Sequence, residues 1–212
     1  MKKKGSSRRR GEGDEAAVRA RILDAAFATF MAKGYAASST LEIATRARVS
    51  KRELYALVGK KEEMLVECIT NRAKRFQVPA ELPEPRDREG LRRLLASFGA
   101  QLLREIGDPA VVGMFRLAIA EAGNAPEVAR TLTSIGGKAV DAALHKIMEG
   151  ARKAGLLDGS PEELAEQFWG LLWGGGLHVK LLLGVHKRPD PAEMAARADS
   201  AADLFLRIHP KP

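Results

Sequence analysis

Apolar side chains recur at intervals of three and four residues through most of this chain, whereas the alternation typical of β-strands is nearly absent. Residues 14–33 follow this helical spacing, and Gly34 has the position of a glycine that ends a helix. The apolar face of this segment consists of Val18, Ile22, Ala25, Ala26 and Phe30. The pattern therefore predicts an all-α chain whose first helix covers residues 14–33.

Two short helical patterns follow within residues 38–61. Ser39 precedes Glu42 by three positions, and Ser50 precedes Glu53 by the same interval. This is the spacing of a capping box, in which a hydroxyl and a carboxylate satisfy the first free amides of a helix. We therefore expect one helix to begin after each serine.

The second of these short helices is predicted to have two faces. The apolar stripe is Leu54, Leu57 and Val58, and the opposite side carries Lys51, Arg52 and Tyr55. Two short helices joined by a tight turn, with the second one basic and exposed, form a helix-turn-helix whose second helix enters the DNA major groove. The alternative is a helical hairpin whose charges only keep the chain soluble.

The distribution of charge favours the first interpretation. The chain has a net charge of +8, and residues 1–78 contain 18 Lys and Arg against 9 Asp and Glu, whereas the remainder contains 17 against 18. The excess positive charge therefore lies on the segment that holds the two short helices, as expected of a module that binds a polyanion. Residues 1–13 are basic and lack periodicity, which predicts a disordered arm that either contacts DNA or only adds solubility.

The flanks of the two short helices extend the pattern. Residues 21–35, 43–44, 49–50, 54–55 and 61–65 together resemble the DNA-binding domain of the tetracycline-repressor (TetR) family, over about residues 19–69 and without a gap. Arg48 departs from the family, which usually has a turn glycine there, so this turn must accept a side chain. The resemblance implies a dimeric regulator, most often a repressor, that binds an inverted-repeat operator in double-stranded DNA.

The resemblance also implies which residues contact DNA. The recognition helix with the start of the preceding helix would contact the operator, and the cap and turn residues would hold the DNA backbone. Lys61, at the start of a fourth helix, would act as a phosphate clamp; the alternative is a lysine that reaches solvent. The full set of expected DNA-binding residues is Ser39, Thr40, Leu41, Arg48, Ser50, Lys51, Arg52, Tyr55 and Lys61.

A proline-rich stretch divides the chain. Residues 79–88 contain three prolines and end the helical pattern, which predicts a linker between a DNA-binding domain over residues 14–78 and a helical ligand-binding and dimerisation domain over residues 89–212. Within the second domain, helices are expected over residues 88–106, 109–122, 126–154, 160–184 and 191–209. Its match to a common TetR C-terminal domain is looser than that of the first domain.

The helix expected over residues 160–184 is apolar around nearly its whole circumference, so it should be buried on all sides. A second copy of the chain would cover the side that this domain cannot, through a four-helix interface with the last helix. The predicted dimer-interface residues are Trp169, Leu172, Trp173, Gly176, Leu177 and Leu204. Gly174, Gly175 and Gly176 would serve either close approach across the two-fold axis or a widened cavity.

A small-molecule pocket in the C-terminal helices is implied by the family resemblance. Its candidate lining residues are the polar or aromatic ones on otherwise apolar helices: Phe98, Phe115, Arg116, Glu121, His145, Met148 and Trp173. For each of them, ordinary core packing is the alternative. The apolar character of these helices suggests a hydrophobic or aromatic effector.

The sequence contains no motif that points to an enzyme or to a cofactor. The four histidines and Cys68 lack metal-ligand spacing, and phosphate-binding loops, dinucleotide fingerprints and nucleophile elbows are absent. One cysteine fits a reducing compartment, and neither a signal peptide nor a membrane span is evident, which predicts a cytoplasmic protein. Two other functions stay open: a helical ligand-binding or enzymatic protein without specific DNA recognition, and a nonspecific architectural DNA binder.

Overall fold

A computed structural model describes residues 5–73, 85–185, 188 and 190–210, and this part of the chain is helical throughout, with no strand. The α-helices are α1 (Gly5–Lys33), α2 (Thr40–Ala47), α3 (Lys51–Leu57), α4 (Lys61–Ala73), α5 (Arg88–Ile106), α6 (Pro109–Ala120), α7 (Glu127–Leu132), α8 (Lys138–Lys153), α9 (Pro161–Trp173), α10 (Leu177–Leu183) and α11 (Pro191–Ile208). A π-helical turn, Thr133–Gly137, joins α7 to α8, and a 3-10 turn, Gly174–Gly176, joins α9 to α10. None of the described helices is long and apolar enough to cross a membrane.

Helix α1 begins earlier than the sequence pattern predicts. It starts at Gly5, so the described part of the arm expected over residues 1–13 is helical and not disordered; residues 1–4 lie outside the described residues. Once a helix is nucleated, each further residue adds a backbone hydrogen bond, and a helix anchored in a core can extend into polar sequence. The end of α1 is as expected, with Gly34 at a φ of 88°.

Contacts divide the chain into two compact units. Unit 1 comprises Met1–Lys74 and Arg116–Gly136, and unit 2 comprises Arg75–Phe115 and Gly137–Pro212. Residues 116–136, which were predicted to lie in the second domain, are grouped by their contacts with unit 1. Within unit 1, α7 packs against α4 and α1 packs against α2 and α4. The predicted linker over residues 79–88 falls mostly outside the described residues, and α5 begins at Arg88 with Asp87 as its N-cap.

The core of unit 2 is built on α5, α8, α9 and α11. Helix α11 packs along α5, and α9 contacts both α8 and α11. Phe168 and Phe205 are fully buried there in an edge-to-face pair, with ring centroids 5.6 Å apart. Gly99 allows the close approach of helices, because a Cβ at this position would lie 3.0 Å from Leu172 and 3.3 Å from Ala198.

The helix predicted over residues 160–184 is two helices. The first helix ends at Trp173. Gly175 and Gly176 both have a φ of 70°, a left-handed conformation that glycine adopts without the strain that a Cβ would add. A Cβ at Gly174, Gly175 or Gly176 would meet no atom of the described chain within 4 Å. The three glycines therefore allow the backbone to turn between two helices. The prediction of one continuous helix through them was wrong.

Candidate nucleic-acid interface and effector site

The recognition helix is held at its start by a serine cap. Ser50 Oγ accepts a hydrogen bond from the Glu53 amide at 3.0 Å, and Ser39 Oγ caps α2 by accepting from the Glu42 amide at 3.2 Å. Glu42 does not complete a reciprocal box, because its carboxylate pairs with Lys33 at 2.7 Å. These caps fix where both helices of the pair begin.

Helix α3 has the two faces that its sequence predicts. Leu54 is fully buried and Val58 is buried, whereas Lys51, Arg52 and Tyr55 are exposed. Because α3 is only seven residues long, its orientation depends on Leu54 and on its neighbours more than on its own hydrogen bonds. The cationic side chains are thus presented outward from a packed support.

The two helices also contact each other on the exposed side. Thr40 Oγ1 and Tyr55 Oη lie 3.2 Å apart and form a hydrogen bond. Leu41, next to Thr40 at the start of α2, is 63% exposed, which is unusual for a leucine without a partner. Thr40, Leu41 and Tyr55 therefore lie on the same outer surface as the basic residues of α3.

Arg48 forms the turn between the helices in a left-handed conformation, with φ 55° and ψ 47°. Its amide donates to the Thr45 carbonyl at 3.2 Å, and the Val49 amide donates to the Ala44 carbonyl at 3.0 Å, which closes the C-terminus of α2. It is the one described residue other than glycine with a positive φ. The exposed side chain is available to an anion, while the backbone carries the strain that a glycine would avoid.

Lys61 is part of the internal structure of unit 1. Its Nζ donates to the carbonyls of Tyr35, Ala36 and Ser38, at 2.9, 3.3 and 3.3 Å, and lies 4.4 Å from the centre of the Tyr35 ring. An ammonium group has three donors, so this arrangement uses all of them. The interpretation of Lys61 as a solvent-directed lysine is wrong, and its role as a phosphate clamp stays a prediction that requires the ammonium to leave a carbonyl.

The turn between α1 and α2 is held from a second side by Glu121. This carboxylate is buried and accepts a hydrogen bond from the Ala36 amide at 3.0 Å, and a Cβ at Gly34 would lie 2.7 Å from its Oε1. Burial, with nearby carboxylates that include Glu121, raises the pKa of Tyr35 to about 12. Glu121, predicted to line a ligand pocket, thus has a structural partner in unit 1.

The other candidate pocket residues do not form one group. Phe98 and Met148 are buried in the core of unit 2, where ordinary packing accounts for them. Arg116 is exposed and belongs to unit 1. His145 lies in an open groove of about 530 Å³ between α8 and α9, where its Nε2 lies 2.9 Å from Glu162 Oε1.

Phe115 and Trp173, by contrast, share an aromatic cluster in unit 2. Each contacts the ring of His178, with centroid distances of 5.4 and 5.1 Å, and Trp169 lies 5.9 Å from Trp173. We call Phe115, Trp169, Trp173 and His178 the aromatic cluster. His178 was not among the residues predicted to line a pocket, since only the break at Gly174–Gly176 places it against Trp173.

Part of the predicted dimer interface lies inside a single chain. Leu172 and Leu177 are 0% and 7% exposed and belong to the core of unit 2, so they cannot lie on a surface between copies. Trp169 and Trp173 are partly buried, and Gly176 and Leu204 are exposed. The physical reason is the interruption between Trp173 and Leu177. It allows Leu172 and Leu177 both to face the core, whereas a continuous helix would place them on different sides.

Unit 2 has exposed apolar residues on and near two helices. They are Val179 and Leu183 on α10, Val185 two residues after it, and Leu204 and Ile208 on α11. Leu183 and Val185 are 70% and 72% exposed. Large apolar side chains that face water are typical of interaction surfaces where they lie together.

A capped helix pair with outward basic residues, joined to a larger helical unit, defines the class of helix-turn-helix DNA-binding regulators. Residues 22–68 match the family described as bacterial regulatory proteins, tetR family, and residues 93–209 match the AefR-like transcriptional repressor C-terminal domain. The chain belongs to the TetR family of transcriptional regulators. No protein with a curated description matches it.

Solved structures of similar proteins cover nearly the whole chain. A TetR transcriptional regulator from Agrobacterium tumefaciens is 27% identical, with 91% of this chain and 95% of that chain covered and a TM-score of 0.74. The flavonoid-responsive regulator FrrA is 28% identical, with 93% and 98% covered and a TM-score of 0.76. A TetR-family regulator from Mesorhizobium loti, at 23% identity, 92% and 98% coverage and a TM-score of 0.71, shares the fold.

Proposed function

We propose that the chain acts as a dimeric repressor that binds an inverted-repeat operator and is released from it by an aromatic small molecule. The observation that carries the proposal is the outward face of α3, where Lys51, Arg52 and Tyr55 are exposed while Leu54 anchors the helix. A helix presented in this way fits the major groove, and cations beside it attract phosphates.

The proposed DNA contacts divide into two kinds. Lys51, Arg52 and Tyr55 on α3, with Thr40 and Leu41 on α2, are assigned to the base edges and the groove wall. The caps Ser39 and Ser50 and the turn residue Arg48 are assigned to the phosphates. Hydroxyl and guanidinium contacts to phosphates position a protein on the duplex without reading its sequence. Lys61 is assigned mainly to the support of the α1–α2 turn, given its three carbonyl partners.

Dimerisation is proposed through the exposed apolar surface of α10 and α11, where Leu183 and Leu204 are prominent. A second copy would cover this surface and present two recognition helices to successive major grooves, as an inverted repeat requires. The proposed regulator would work in the cytoplasm, where it meets chromosomal DNA.

The effector class is proposed from chemistry and from one similar protein. FrrA is named as responsive to flavonoids, which carry aromatic rings, and unit 2 contains a cluster of four aromatic side chains. An effector that binds the DNA-free form more tightly than the DNA-bound form weakens DNA binding by the same factor.

The experiment that tests this function compares two lysine variants. Lys51→Ala removes a cation from α3, and Lys138→Ala removes the same charge from an exposed position in unit 2. DNA captured from the source genome is used as the ligand, with competitor DNA present. Lys51→Ala should weaken binding about tenfold or more and relax sequence preference, whereas Lys138→Ala should change it by less than about twofold.

The same binding measurement, repeated at rising salt concentration, distinguishes the alternative functions. An architectural binder would lose affinity equally for captured and random duplex as salt rises, since phosphate contacts alone would hold it. Equal effects of Lys51→Ala and Lys138→Ala would remove α3 from the interface.

A further inference from the structure

Two polar ring atoms in the aromatic cluster are buried without a partner. Trp173 Nε1 and His178 Nε2 are both shielded from solvent, and neither has a hydrogen-bond partner within the described part of the chain. A buried donor left unsatisfied costs about 1–3 kcal/mol, so such atoms are rare and need an explanation. The two rings that carry these atoms are in contact, with centroids 5.1 Å apart.

The chemistry of these two atoms defines that partner. An indole N–H can only donate, so the group that faces Trp173 must be an acceptor. The imidazole Nε2 donates or accepts according to its tautomer. Burial lowers the pKa of His178 below its ordinary value, which keeps the ring neutral near pH 7. A neutral oxygen, such as a phenol hydroxyl or a ring carbonyl, can satisfy both nitrogens.

The surroundings of the two nitrogens favour an aromatic molecule. Phe115 meets the His178 ring edge-on, with an angle of 80° between the planes, and the Trp169 ring lies 5.9 Å from that of Trp173. The glycines that join α9 to α10 are exposed and have no side chain there to cover these rings. Aromatic rings prefer edge-to-face or offset contacts with other rings, which this arrangement offers.

We propose that unit 2 binds an uncharged, oxygen-bearing aromatic molecule against the aromatic cluster, with its oxygen hydrogen-bonded to Trp173 Nε1 and His178 Nε2. This rests on the proposed function, because it names the chemical class and the contacts of the effector. Of the pocket residues predicted from the sequence, the proposed site keeps Phe115 and Trp173. Both contact the ring of His178, which was not predicted.

The test uses naringenin, a phenolic flavanone with a ring carbonyl, and isothermal calorimetry on the full chain without DNA. Trp173→Phe removes the indole N–H and keeps an aromatic ring; His209→Phe is the control, because His209 Nε2 is also a buried ring nitrogen without a partner but lies outside the aromatic cluster, against Phe205. Naringenin should bind the unchanged protein, Trp173→Phe should weaken it about tenfold, and His209→Phe should change it by about twofold or less. The chain contains two tryptophans, so quenching of their fluorescence reports on the same place.

A second variant tests the site without a ligand. His178→Phe replaces the unsatisfied nitrogen with an apolar ring of similar size, which is neutral or stabilising where no partner exists. The unfolding midpoint of the ligand-free variant should therefore equal or exceed that of the unchanged protein, while naringenin affinity falls. A lowered midpoint would show that His178 has an internal partner and would overturn the proposal.

Two other results would also overturn it: no naringenin binding by the unchanged protein, or equal loss in Trp173→Phe and His209→Phe. Both are measured without DNA, so they are distinct from failure of the proposed function, which would be loss of operator preference with naringenin binding intact.

Discussion

Arg48 places an exposed cation at a turn whose backbone conformation costs stability. It occupies the left-handed turn between α2 and α3, where a non-glycine residue is strained by about 1 kcal/mol. Arg48→Gly should therefore stabilise the protein by about 1 kcal/mol relative to Arg48→Ala, as measured by urea unfolding.

Both of these variants lose the cation, so both should bind operator DNA more weakly and with a smaller salt dependence. If the glycine and alanine variants unfolded at the same urea concentration, the turn would not carry the strain that its φ of 55° indicates.

Single residues were predictable where local spacing determined them. The caps Ser39 and Ser50, the buried Leu54 and the exposed Lys51 follow from short-range patterns, and the structure places each as expected. The carbonyl contacts of Lys61 were not predictable, because they join residues 23 to 26 positions apart in the chain.

At the scale of elements, α4 is joined to the α1–α2 turn by one side chain. Lys61→Ala removes three hydrogen-bond donors from the carbonyls of Tyr35, Ala36 and Ser38, and should lower the free energy of unfolding by about 1–3 kcal/mol. Lys60→Ala, at the adjacent exposed position, should change it by less than about 0.5 kcal/mol.

Thermal unfolding of the two variants, with and without operator DNA, separates support from phosphate contact. An unchanged midpoint in Lys61→Ala combined with weaker DNA binding would show that the ammonium leaves its carbonyls to clamp phosphate. If the role of Lys61 is structural, we expect the opposite result, in which a lower unfolding midpoint is the main effect of Lys61→Ala.

Elements were predicted well where caps and prolines marked them. Asp108 with Pro109 and Ser160 with Pro161 open α6 and α9 as expected. The break at Gly174–Gly176 was missed because glycine lowers helix propensity without stating which backbone conformation it adopts. That one error misplaced Leu172 and Leu177 at the dimer interface and hid the contact of His178 with Trp173.

For the whole molecule, the proposed dimer surface consists of apolar residues of α10 and α11 that are exposed in the single chain. Leu183→Glu introduces a charge into the exposed apolar surface of α10 and should shift the chain to monomers in light scattering. Ile119→Glu, at a residue that is 62% exposed in unit 1, is the matched control and should leave the dimer intact. Dimers that persist in Leu183→Glu would remove α10 from the interface.

The division into units is another property that sequence alone did not reveal. The proline-rich stretch predicted one boundary, whereas contacts group residues 116–136, which include Glu121 and α7, with unit 1. Such grouping depends on contacts between distant segments, such as the 85 positions between Ala36 and Glu121.

Two copies of the α3 face are proposed to bind one DNA site together. Sequencing of genomic DNA captured by the purified chain tests this joint binding, with the number of chains per captured duplex determined by native mass spectrometry. We expect an enriched inverted repeat whose half-sites lie about one helical turn apart, bound by an even number of chains. A single chain on DNA with no enriched repeat would disprove joint binding.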